Sequence, residues 1–347
     1  MPDITVPIDF DELEALMRHD PRGRGVASYR RDGAWLASGR LGPAARDLAE
    51  RASTVGIVTG FCVADLPVPV AETDGPPGAL YLARALEALG TEVVFITDRY
   101  ALPLLEIGCR LWRLNAGLLE APVDRAQAGP WIDRFLASPV AARLTHLIAI
   151  ERVGASHTLE SLLAQPRSAA PPLDRFAAEV PVEARDRCHN MRGVAIDSHT
   201  APLDRLFEAF RSGEHRVTTI AIGDGGNEIG MGSIAWEQLR AALSDAHAGR
   251  IICRIAADFL ILAGVSNWGA YALACAVATL RGRSDLIADG CGVRQRALIE
   301  SLVSEGGAVD GATRCREATV DGLPLDDYLA MLERIREVCT GLPPPKL

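Results

Sequence analysis

Lysine is almost missing from this chain: Lys346 is the only one in 347 residues, and every other basic side chain is an arginine. That shortage excludes mechanisms built on a lysine amine: a P-loop cradle, a pyridoxal Schiff base, a lysine general base. No C-x-x-C pair occurs among the eight cysteines (62, 109, 188, 253, 275, 291, 315 and 339), which read as reduced, mostly buried thiols and not as a disulfide framework. The seven histidines follow no metal-ligand spacing. Met-Pro-Asp-Ile-Thr at the start has neither the basic nor the apolar region of a signal peptide. The apolar run Phe259–Val265 is too short to span a bilayer. With 36 basic against 45 acidic residues the net charge is -9, the wrong sign for a nucleic-acid footprint. The expectation is a cytoplasmic protein with no nucleic-acid or membrane partner.

What is present is ordinary for a globular chain, 48% hydrophobic and 23% charged. Residues 1–50 read as a helical preface around a Gly/Arg turn (Pro21–Gly25), an arm suited to a partner subunit. Residues 51–340 then alternate apolar β-branched runs with Gly or acidic loops and helical stretches. The runs are Val55–Thr59, Val93–Thr97, Leu147–Ile150, Val217–Ile222, Ile251–Ile255 and Phe259–Leu262. This alternation predicts one α/β domain, a mostly parallel Rossmann-like sheet with helices on both faces. Ligands of such sheets sit beyond the carboxyl ends of the strands. The Pro-rich stretches Pro166–Pro172 and Pro343–Pro345 read as a surface excursion and a frayed tail, and the Ala-rich helix after Trp268 as a second feature compatible with a homo-oligomer.

Two loops carry the chemistry. The first follows Val55–Thr59 and runs from Gly60 to Gly78, holding Asp65, Glu72, Thr73, Asp74 and Gly75 before a helix over about Ala79–Leu89. Thr73 or Asp74 would cap that helix, whose N-terminus is a seat for a carboxylate or phosphate. In the second, Gly223-Asp224-Gly225-Gly226-Asn227-Glu228 leads on to Gly230 and Gly232. Its glycines permit close backbone approach, and Asp224 and Glu228 offer the oxygen ligands a divalent cation prefers. Lesser patches are Glu151-Arg152, where arginine could clamp a carboxylate or form an ion pair; Asn190 and Arg192, with His189 beside them as a surface or capping residue; Ser266 and Asn267, which would cap the following helix; and Asp98 at a strand end.

In order along the chain, T-G-F, E-T-D-G-P-P-G-A, I-T-D, I-E-R, N-M-R-G, G-D-G-G-N-E-I-G-M-G and A-G-V-S-N-W-G resemble the D-glutamate cyclase family over roughly residues 10–300. The resemblance implies a hydro-lyase that closes D-glutamate into 5-oxo-D-proline and water with no NAD and no PLP. Glu72, Asp74, Asp224 and Glu228 become the expected catalytic carboxylates, and Asp224 and Glu228 the ligands of a manganese or magnesium ion. The expected substrate contacts are Thr73, Gly75, Glu151, Arg152, Asn190, Arg192, Gly225, Gly226, Asn227, Ser266 and Asn267.

Three other readings keep a footing. G-D-G-G-N-E echoes the metal loop of haloacid-dehalogenase-type phosphatases, whose first strand must end in a nucleophilic aspartate; here Glu72 stands well beyond that strand. A cofactor-free amino-acid racemase would need two cysteines facing one pocket, for which Cys62 and Cys291 are the candidates. A binding protein for an acidic amino acid would keep the pocket without turnover.

Overall fold

Runs of Val and Ile ending in a glycine or an acid form the strands of one six-stranded sheet. The structure is a computed structural model that describes residues 8–341 apart from 22, 24, 214, 289 and 290. In chain order the strands are β1 (Thr54–Thr59), β2 (Glu92–Thr97), β3 (Gly117–Glu120), β4 (His146–Ile150), β5 (Thr218–Gly223) and β6 (Phe259–Leu262). They lie in the order β6-β5-β4-β1-β2-β3, all parallel. The chain builds one half outward from β1, then returns to build the other from β4. The reversal opens a crevice beyond the ends of β1 and β4, the place where doubly wound sheets bind ligands. This is the expected α/β class with a Rossmann-like strand order.

Alternate side chains of each strand feed two separate cores. Val55, Ile57, Val93, Phe95, Ile148, Ile150, Ile220 and Ile222 face one helical layer. Val58, Val94, Ile96, Leu147, Ala149 and Ala221 face the other. Burial on both faces is why the strands read as continuous apolar runs. The helices used below are α1 (Phe10–Met17), α2 (Leu41–Arg51), α3 (Pro76–Ala88), α4 (Ser266–Leu280), α5 (Cys291–Ser304) and α6 (Leu325–Thr340). Helix α4 is apolar round its whole circumference, which only a helix covered on all sides can be. Its coverings are α2, α3, α6 and the sheet.

Several expectations change here. The two features read as compatible with a homo-oligomer both contribute to the core of the chain itself. Ala-rich α4 is buried, and Leu13, Met17 and Leu41 of the N-terminal stretch lie in the same core. Arg18 pins that stretch by donating to the carbonyls of Ala27, Leu36 and Ala37. Residues 251–255 are not a sheet strand: a helical turn ends at Ile251, and Cys253 forms a lone bridge with Ser156. A short buried apolar run has no period that separates strand from other buried backbone. The half-exposed edge strand β3 lacked such a run altogether. Seven cysteines are free thiols, all buried except Cys315. Among the described residues no helix is long and apolar enough to cross a membrane. Met1–Thr5, Pro343–Pro345, Lys346, part of the Pro21–Gly25 turn and the Cys291 side chain lie outside the described residues.

Candidate active site

The long connection after β1 is a hairpin, Cys62–Val63 paired with Val70–Ala71, which stands Phe61 to Asp65 along one wall of a cavity. Beyond it Thr73 is tied at both ends, its N–H to the Val309 carbonyl (2.8 Å) and its hydroxyl to that of Thr319 (2.7 Å). Gly75, at φ 97°, then turns the chain into α3. A Cβ there would lie 2.8 Å from that of Glu151 and 2.9 Å from the Thr59 hydroxyl, so no other residue fits. Glu151 follows β4 with φ 45°, a left-handed conformation that a glutamate adopts at a cost of about 1–2 kcal/mol. The Ser266 hydroxyl donates to its carboxyl at 2.6 Å.

Helices α3 and α4 begin side by side, and each loop caps the other helix. The Asp74 carboxylate accepts the N–H groups of Ser266 (2.9 Å) and Asn267 (2.8 Å) at the start of α4. In return the Asn267 side-chain oxygen Oδ1 accepts those of Gly75 (3.0 Å) and Gly78 (2.8 Å) at the start of α3, while its side-chain NH2 donates to the Thr73 carbonyl. Asp74 also accepts the Gly75 N–H (3.0 Å) at the start of its own helix, as the sequence suggested, but the Ser266 and Asn267 side chains do not cap α4, and the exchanged partners sit almost two hundred residues apart. This lays Asp74, Ser266 and Asn267 beneath the cavity as its scaffold.

The glycine-rich loop after β5 folds around its own glutamate. Glu228 accepts the N–H groups of Asp224 (3.3 Å), Gly225 (2.7 Å) and Gly226 (2.8 Å). Gly225 and Gly226, expected to meet substrate, therefore give their N–H groups to Glu228. Asn227 donates to the His189 carbonyl, and the segment 251–255 supports the loop through the Cys253 N–H on the Gly226 carbonyl (3.0 Å). Asp224 and Glu228 both line the cavity, and a set of three carboxylates converges there. One oxygen each from Asp74, Glu151 and Asp224 lies within 4.8 Å of the others.

These loops enclose about 320 Å³, at the lower end of the ~300–1,000 Å³ usual for small-molecule sites. Glu72, Glu151, Asp224, Asn227 and Glu228 line it, with Asn190, Met191 and Arg192 from the connection before β5. Burial, then the nearby carboxylates of Glu228, Asp74 and Glu72, push the Glu151 carboxyl well above the usual range. Burial and the Asp98 charge raise the Cys62 thiol to about 12, removing it as a nucleophile. Asn190 spends its side-chain oxygen Oδ1 on the N–H groups of Arg192 and Val194. His189 is buried, not at the surface, and burial lowers its pKa. Arg152 points away from the cavity: its guanidinium pairs with Asp98 at 2.7 Å and donates to the carbonyls of Gly60 and Ala201. Of the two roles considered for it, the ion pair is the one the fold uses.

A fourth wall escaped the sequence reading. Gly311, Ala312, Arg314 and Asp321 come from the loop between α5 and α6. Asp310 shapes it, accepting the N–H groups of Ala312 and Thr313 (both 2.9 Å) and Gly322 (2.5 Å). Val309-Asp310-Gly311 repeats the apolar-acid-glycine pattern of the other loops, but no strand precedes it to draw attention. At the cavity mouth Arg314 and Arg192 both pair with Asp65, the latter at 3.0 Å.

Comparison with known proteins places the chain in a family. The family model described as D-glutamate cyclase-like, C-terminal, matches residues 13–162 and 173–336. The chain is 32% identical over 282 residues to the mitochondrial D-glutamate cyclase of Homo sapiens, covering 77% of this chain but 38% of that protein. It thus spans well under half the length of that relative.

Proposed function

The chain belongs to the D-glutamate cyclase-like family, and from that membership we propose that it is a hydro-lyase closing D-glutamate into 5-oxo-D-proline and water. The observation that carries the reading is the buried Glu151, its carboxyl pushed well above the usual range, set beside Glu72, Asp224 and Glu228 in a cavity sized for one amino acid.

The reaction needs the α-nitrogen to lose protons and the γ-carboxyl to lose oxygen. An acidic floor attracts the substrate ammonium, and Glu72 or Asp224 on the wall accepts one of its protons. The nitrogen then attacks the γ-carbon, its approach set by holding both ends of the substrate, a contribution of up to ~7–11 kcal/mol in well-oriented intramolecular reactions. Glu151 gives its proton to the departing oxygen; a carboxyl kept neutral by its surroundings is the acid that step requires. The nitrogen loses two of its three protons: one passes through the wall carboxylate to the water, and the other returns to Glu151 in place of the proton it gave to the water. Glu228, engaged by three N–H groups of its own loop, is better suited to shaping the loop than to this exchange. Arg192 at the mouth takes the α-carboxylate.

A divalent cation belongs to the same proposal. Three hard oxygens within 4.8 Å suit manganese or magnesium, and Asp74, Glu151 and Asp224 would hold it. Bound there, the ion would draw negative charge from the γ-carboxylate, the part that the Glu151 proton plays without it.

The test is incubation with D- and L-glutamate separately, with and without manganese or magnesium, and chiral chromatography of 5-oxoproline. Product from the D-enantiomer is expected. None from either enantiomer under any metal condition would overturn the reading.

A further inference from the structure

Two of the three charged groups at the cavity mouth are cations, and the third pairs with both. Arg192 comes from the connection before β5, Arg314 from the loop between α5 and α6, and Asp65 from the tip of the hairpin after β1. All three line the cavity. Asp65 pairs with Arg192 at 3.0 Å and with Arg314, through the same carboxylate oxygen. The side chains are 42% exposed for Asp65, 50% for Arg192 and 32% for Arg314, so solvent and solutes reach the cluster. A carboxylate between two guanidinium groups is the arrangement by which proteins recognise a free carboxylate. Here the chain supplies that carboxylate itself, from a loop stiffened by Pro67 and Pro69.

We propose that Asp65 is an internal competitor for the substrate carboxylate: it occupies the Arg192–Arg314 pair at rest and is displaced when an acidic substrate enters. The inference rests on the reading of the cavity as an acidic amino-acid site and adds a specificity determinant to it. A ligand without a carboxylate cannot displace Asp65, so the mouth selects for anions while its net charge of +1 avoids gathering inorganic anions strongly. Asp65 touches substrate's partners and not the reacting atoms, so it sets affinity and selectivity.

The probe is glutarate, a five-carbon dicarboxylate with no amine and therefore no cyclisation, titrated calorimetrically into the full chain. Exposed ion pairs are worth ~0.2–1 kcal/mol each and Asp65 makes two, so D65N should bind glutarate about two- to thirtyfold more tightly than the parent. R314Q should bind it more weakly, and D65N/R314Q should fall back towards the parent. D65N should also lower KM for D-glutamate, by a similar factor. A purely structural strap predicts the opposite sign for D65N, weaker binding together with R314Q. Weaker or unchanged binding in D65N, or no glutarate binding to any of the three variants and the parent, would overturn the proposal. Tightening by D65N without turnover of D-glutamate by the parent would keep this inference and remove the cyclase reading.

Discussion

Glu151 concentrates the site's chemistry because three features meet at one residue: burial, neighbouring carboxylates and a left-handed backbone. Its raised pKa has a direction that stability measurements can read. The fold binds this proton more tightly than the unfolded chain, whose glutamate titrates near 4.5. Stability from it is complete below that pH and is lost as pH rises through the higher folded value. Glu151→Gln keeps the neutral state permanently. In chelator-treated protein its melting temperature should therefore gain on the parent as pH rises above 4.5, while turnover falls by ~10²–10⁴-fold at every pH, the range for removing a general acid. A melting difference that does not vary with pH would show that Glu151 is ionised in the fold. Asp74 calls for a different outcome from the one the sequence suggested. As the cap of α4 it should cost ~0.5–2 kcal/mol of stability on replacement by alanine, read by denaturant unfolding, besides its effect on turnover. The sequence could nominate Asp74, Glu151 and Ser266 as polar residues near strand ends. It could not say which would face the cavity and which would support it, because that division depends on partners far away in the chain.

Among elements, the loops divide by what precedes them. Those after β1, β4 and β5 were legible, since an apolar run leading into glycine and acid marks a carboxyl edge. The loop between α5 and α6 was not, since it reaches the site by packing on residues 72–73 and not by following a strand. Gly311 tests its importance. A Cβ at that position would come 1.4 Å from a Glu72 carboxylate oxygen, so Gly311→Ala must displace the glutamate, the loop or both. The loop carries its own tether in Asp310. The expected outcome is a folded protein by circular dichroism, with kcat/KM for D-glutamate reduced at least ~10²-fold, the loss associated with a 1 Å misplacement in a site. Full activity would take Glu72 and this loop out of the catalytic scheme.

For the molecule as a whole, the order β6-β5-β4-β1-β2-β3 explains why so much of the fold could be read. Parallel strands buried on both faces leave uninterrupted apolar runs, and five of the six were visible for that reason. The sixth, β3, is a half-exposed edge strand, and the run at 251–255 misled because buried support for a loop has the same composition as a strand. The exchange of caps between Asp74 and Asn267 has a consequence for motion. The amides of Gly75, Gly78, Ser266 and Asn267 are held by the two halves of the sheet reciprocally, so neither helix start can fray while the other stays closed. Their protons should exchange with deuterated solvent together, at the slow rate set by global unfolding, and the floor of the cavity should be among the last parts of the protein to open.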